Sequence, residues 1–155
     1  MGDQRVNIRV EHLPAATATE FRRALLEGKF EILHFAGHAS AEKLVFEREA
    51  GESNTMTIQT AAEIITRNKS VQGVILNGCK SGKKLSEPIG SFTVGMDSDI
   101  LDSTSIAFSR GFYDALRFRK SPKEAYEEGV LAVRAEGGER EARKIIFITS
   151  ASPTA

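Results

Sequence analysis

Two residues with reactive side chains stand just past the ends of strand-like runs. Cys79, the only cysteine, lies in Gln72-Gly-Val-Ile-Leu-Asn-Gly-Cys-Lys-Ser-Gly82. Val74, Ile75 and Leu76 form a short apolar run with β-branched residues, which suits a strand buried on both faces. Asn77 and Gly78 break the run, and the thiol follows at once. His38 ends a second run of the same build, in which Ile32, Leu33 and Phe35 are strand-like and Gly37 stops them. If the two strands are parallel neighbours, a thiol and an imidazole meet at the carboxyl edge of one sheet, where open α/β sheets place their ligands. That pairing is what cysteine acyl transfer requires.

Each residue also has a plainer reading. A lone buried cysteine is usually a small hydrophobe, but Cys79 falls in a turn between Gly78 and Lys80. Lys80 either helps hold a thiolate or is a solvated lysine. His34, inside its run, reads as a hydrogen-bonded core residue, and His12 as a surface one. His38 follows glycine and precedes Ala39 and Ser40, which leaves room for a substrate backbone. Two other chemistries fail on spacing. A phosphate-binding loop would need glycine at position 77 and serine or threonine at position 84, where Asn77 and Lys84 stand. A cysteine phosphatase would need arginine at position 85, which is Leu85. One cysteine and three scattered histidines give no metal-ligand spacing, so neither metal nor cofactor is expected.

The elements that must position this pair alternate in type. Val6, Ile8 and Val10 predict a first strand over Arg5–Val10. Thr17 and Glu20 predict a capping box and a helix closed by Gly28. Lys43–Arg48 and Thr55–Ile58 flank a polar stretch, Glu49 to Asn54, as in a hairpin. Thr60 and Glu63 predict a second capping box, ahead of Ile64 and Ile65. After the cysteine, Lys83 to Glu87 fits one helical turn and Ile89–Met96 a strand. Asp102 or Ser103 is placed to cap a helix carrying Phe108, Phe112 and Tyr113. Ser121, Pro122 and Glu124 start another, which runs to Gly137-Gly138. Ile145–Thr149 is a last strand. Strands alternating with helices imply a mostly parallel sheet covered on both faces.

At 155 residues the chain suits a single domain, 1–155. Lysine plus arginine and aspartate plus glutamate number 21 each, so no basic field argues for nucleic acid. No apolar run reaches the ~18 residues of a membrane span. A single cysteine fits a reducing cytoplasm, and the first residues lack the pattern of a secretion signal.

The ordered series His34-Phe-Ala-Gly-His38, Leu76-Asn-Gly-Cys79 with Ser81, Gly95-Met96, and Asp102 through Ala107-Phe108 to Phe112-Tyr113 closely resembles CHAT domains. These are caspase-like cysteine proteases of bacteria and some eukaryotes, related to separases and more distantly to metacaspases and gingipains. The resemblance implies a caspase-like three-layer sandwich with a mostly parallel central sheet. It makes Cys79 the nucleophile and His38 its partner base, with the backbone N–H groups of Ala39 and Cys79 as the oxyanion hole. Family members usually carry a further strand ahead of the segment matching Arg5–Val10, so the sheet is expected to be reduced at its N-terminus. They often carry glycine after the histidine, where this chain has Ala39. Metacaspases place an acid two residues before the nucleophile to bind a basic substrate residue. That position is Asn77, which leaves Asp97, Asp99 and Asp102; Asp102 competes as a helix cap, so Asp97 and Asp99 are the expected acids of the substrate pocket. The resemblance implies a protein or peptide substrate and control by another protein. A reduced sheet edge implies self-association or a bound partner. A binding or scaffold module with an idle dyad is the alternative, and a receiver-like domain ranks behind both.

Overall fold

The computed structural model describes residues 5–47 and 53–150. Strands β1 (Ile32–Ala36), β4 (Gly73–Asn77), β5 (Phe92–Met96) and β6 (Ile145–Thr149) form one sheet in the order β1-β4-β5-β6. The pairs β1–β4 and β4–β5 are parallel, and β6 runs antiparallel to β5. The expected mixed α/β fold with a mostly parallel central sheet is therefore present. A hairpin, β2 (Lys43–Glu47) and β3 (Ser53–Thr57), stands as a separate two-stranded sheet. Of its expected tip, Glu49 to Asn54, Ser53 and Asn54 belong to β3 and the rest lies outside the described residues.

Alternation along β1 and β4 decides which face each side chain serves. Val74 and Leu76 turn to one core, with Leu25 of α1 (Ala18–Glu27), Ala61 and Ile65 of α2 (Ile58–Thr66), and Leu44 and Phe46 of the hairpin. Ile75 turns to the other, with Phe108 and Phe112 of α3 (Asp102–Arg117) and Ala125 and Val133 of α4 (Pro122–Ala135). All five residues of β4 and all five of β5 are buried. This is why β4 reads as an apolar run rather than an alternating strand. The three layers fit a caspase-like sandwich.

Four expectations need correction. Arg5–Val10 is not a strand, although Val6, Ile8 and Val10 alternate. Val10 is 79% exposed, and the segment's backbone tie is Val6 N–H to the Arg117 carbonyl at 2.8 Å. Alternation marks a strand only where one face has something to cover it. The cap of α2 is Thr57, whose side chain accepts from Thr60 N–H at 3.0 Å, so the helix begins one turn before the Thr60–Glu63 pair. The N-cap of α3 is Leu101, not Asp102 or Ser103, and it makes no side-chain cap. The turn after the cysteine occupies residues 79–84 rather than 83–87. By contrast, the capping boxes at Thr17–Glu20 and Ser121–Glu124 form in full.

Candidate active site

The β1–β4 register pairs Ala36 with Asn77, the last residues of both strands. One more ladder bond follows, from Gly37 N–H to the Asn77 carbonyl at 3.3 Å. Both chains then leave the sheet at the same edge, carrying His38 and Cys79. They stay in contact beyond it, since a Cβ on Gly78 would lie 2.6 Å from the Ala39 methyl and 2.9 Å from the Gly37 carbonyl oxygen. Any larger residue at 78 would push the histidine and cysteine loops apart.

His38 is exposed and Cys79 half-buried. The sulfur does not rest on His38. Its hydrogen-bond partners among the described residues are both on Ile100, whose N–H donates to Sγ at 3.5 Å and whose carbonyl lies 3.9 Å away. Ala39 forms an isolated antiparallel bridge with Leu44, closed by Val45 N–H to the His38 carbonyl and Ser40 N–H to the Lys43 carbonyl. In that pattern the central pair exchanges no bonds, so the Ala39 N–H points away from β2. It is thus left available beside Gly78.

The turn that carries the thiol is tightly fixed. Lys80 takes a left-handed φ of 60°, which costs a non-glycine residue about 1–3 kcal/mol and needs surrounding structure to hold it. Its N–H donates to the Ser98 carbonyl at 3.1 Å, and Gly82 N–H to the Met96 carbonyl at 2.8 Å. Ser81 is fully buried and donates through Oγ to the Leu76 carbonyl at 2.8 Å. Gly82 and Gly95 pack backbone to backbone, where a Cβ on Gly95 would lie 2.7 Å from the Gly82 Cα.

On the α3 face of the sheet, one layer beneath the pair, lies a run of uncharged polar groups. Asn77 is 7% exposed. Its Nδ2 lies 3.1 Å from His34 Nε2 and 3.0 Å from Ser109 Oγ. His34 Nδ1 lies 2.7 Å from the Tyr113 hydroxyl, and the two rings stack. Both ring nitrogens of His34 thus face inward, although the residue keeps an exposed edge. Burial lowers the His34 pKa below its ordinary 6.5 and raises that of Tyr113, so both groups are neutral near pH 7. Asn77 Oδ1 is buried with no partner, which typically costs about 1–3 kcal/mol. The reading of His34 as a hydrogen-bonded core residue holds for its hydrogen bonds but not for its place, since the residue is exposed, on an edge strand among the described residues.

Asp97 and Asp99 are both exposed, in the loop after β5. Asp97 accepts from Ser98 Oγ at 3.0 Å. The Asp99 carboxylate lies 3.9 Å from Lys80 Nζ. This pair is open to solvent and worth little by itself. The loop is braced from behind by residues that no sequence signal singled out. Lys144 Nζ donates to the Asp99 carbonyl at 2.7 Å and pairs with Glu141, on the short helix α5 (Glu139–Ala142). Glu141 Oε2 accepts from Leu101 N–H at 3.1 Å and from Thr104 Oγ at 3.2 Å. It ties the N-terminal end of α3 to α5, and the hydrogen bond from Lys144 lowers its pKa first among several causes.

Two shallow depressions lie elsewhere, one beside Ser121 and Phe147, the other beside Phe118 and Leu131. No helix among the described residues is long and apolar enough to cross a membrane. No curated protein matches the sequence. The family model of the CHAT domain, a caspase-like protease family, matches residues 2–147, nearly the whole chain, and the protein therefore belongs to the CHAT domain family.

Proposed function

We propose that the chain is a cysteine endopeptidase whose nucleophile is Cys79 and whose acid–base partner is His38. The observation that carries this reading is the shared exit of the two loops, fixed by Gly37 N–H on the Asn77 carbonyl and by Ala39 against Gly78. The Cys79 thiolate attacks a peptide carbonyl and forms a carbon–sulfur bond. The N–H groups of Ala39 and Cys79 hold the oxyanion. His38 protonates the amine as the carbon–nitrogen bond breaks, and water then hydrolyses the thioester. Sγ must swing from Ile100 toward His38 for this, which is consistent with the loose contacts of resting catalytic groups.

Asp97 and Asp99 are the groups of this edge that face the substrate, whereas Asn77, expected beside them, is buried against His34 and Ser109. Two carboxylates favour a basic residue before the scissile bond, and Lys80 beside Asp99 makes that preference partial. A single unpaired thiol suits a cytoplasmic protein, with a partner protein as its control. The test is cleavage of a peptide library varied at that position. Cys79→Ala and His38→Ala should abolish cleavage with the fold intact, and Asp97→Ala or Asp99→Ala should weaken selection for arginine and lysine. Cleavage that survives Cys79→Ala would defeat the reading.

One observation favours a second reading, an idle interaction module of the same fold. Cys79 Sγ rests against Ile100 rather than His38. A wild-type protein that cleaves nothing in the library, while remaining folded, would support it.

A further inference from the structure

The two hydrogen-bond partners of the Cys79 sulfur belong to one residue, Ile100, and its side chain is not involved. What matters at this position is therefore where the backbone is held. Two groups hold it, each at least 40 residues away in sequence from the loop residue it contacts. Lys144 Nζ takes the Asp99 carbonyl on one side of Ile100, and Glu141 Oε2 takes the Leu101 N–H on the other. Thr104 Oγ fixes the same carboxylate oxygen, and Lys144 is fixed in turn by its ion pair with Glu141. The ion pair is largely shielded, with the two side chains 23% and 15% exposed. Asp97 N–H on the Lys144 carbonyl, at 2.9 Å, pins the start of the loop to the same residue.

We infer that Glu141 and Lys144 are positioning residues for the nucleophile, acting by clamping the peptide units on both sides of Ile100 so that its N–H points at Cys79 Sγ. A donor aimed at sulfur favours the thiolate over the thiol. The N–H contact at 3.5 Å is the shorter of the two. The carbonyl at 3.9 Å is a weak acceptor for a thiol proton. The clamp thus sets where the sulfur rests and which backbone donor faces it. It also holds it away from the histidine until substrate arrives. The inference rests on the peptidase reading for its purpose, but its chemistry can be measured without any peptide.

The experiment follows the reaction of full-length protein with iodoacetamide, a small alkylating agent, at mildly acidic pH. Lys144→Met keeps the alkyl stem and removes the ammonium, and Lys144→Arg restores a donor. A hydrogen bond to an ionised sulfur is strong enough that its loss should slow alkylation of Cys79 by about tenfold. Lys144→Arg should recover most of the rate, and hydrogen exchange at residues 98–101 should quicken in Lys144→Met alone. Glu141→Gln, which keeps acceptors for Leu101 and Thr104 but weakens the ion pair, should fall between. Alkylation of Lys144→Met at the wild-type rate or faster would overturn the inference. So would a slowing that arginine does not restore and that merely follows a lower melting temperature. If the chain cleaves no peptide yet the Lys144 series behaves as expected, the peptidase reading fails and the clamp stands.

Discussion

His34 and His38 are four residues apart on one strand and its exit, yet their surroundings oppose each other. His38 is exposed beyond the ladder, whereas His34 turns both nitrogens inward to Tyr113 and Asn77. Burial lowers the His34 pKa from 6.5, so below that value the unfolded chain binds a proton that the folded chain resists. Stability then rises with pH, and acidification weakens the fold from about pH 6.5 down to the lowered folded value. His34→Phe retains a ring against Tyr113 and removes the titration. Denaturant unfolding between about pH 7 and pH 5 should show a shallower pH slope for this variant than for wild type. Equal slopes would mean that the ring is solvated. The sequence placed Cys79 and His38 correctly at strand exits, because glycine after a β-branched run marks such an exit. It could not show that Asn77 touches His34, because that contact follows from a register pairing Ala36 with Asn77. Nor could it show Ile100 against the sulfur, a backbone contact independent of residue type.

At the scale of elements, local signals were legible wherever the chain satisfies itself nearby. Thr17 with Glu20 and Ser121 with Glu124 cap their helices within one turn. The reading failed where a distant group does the work. The end of α3 looked as though it needed Asp102 or Ser103, but Glu141 reaches it from α5. At α2 two threonines competed, and Thr57 won because β3 runs directly into the helix. Thr57→Ala should therefore cost about 1 kcal/mol, while Glu63→Ala should leave stability nearly unchanged. Thermal unfolding of the two variants separates these positions, and a larger loss at Glu63 would restore the later cap.

The whole molecule is a sheet with buried central strands and unlike edges. β1 forms an edge of the four-stranded sheet among the described residues, and Arg5–Val10, expected as a strand, is not a strand of that sheet. An open edge and exposed Val10 and Leu13 are features that recruit another chain. Light scattering over a range of concentrations should show self-association, and a monomer throughout would remove that expectation. The layered fold was legible because alternation of strand and helix dictates a covered parallel sheet, and the corrections fall at its margins, where tertiary contacts decide. The claim on which the functional account depends is that this edge activates Cys79 toward a peptide carbonyl. Labelling by a peptidyl electrophile measures that directly. The account predicts that wild-type Cys79 is modified far faster than a free thiol at the same pH, that His38→Ala loses most of this advantage, and that Cys79→Ala is not labelled. A folded wild-type protein whose Cys79 reacts no faster than a free thiol would contradict it.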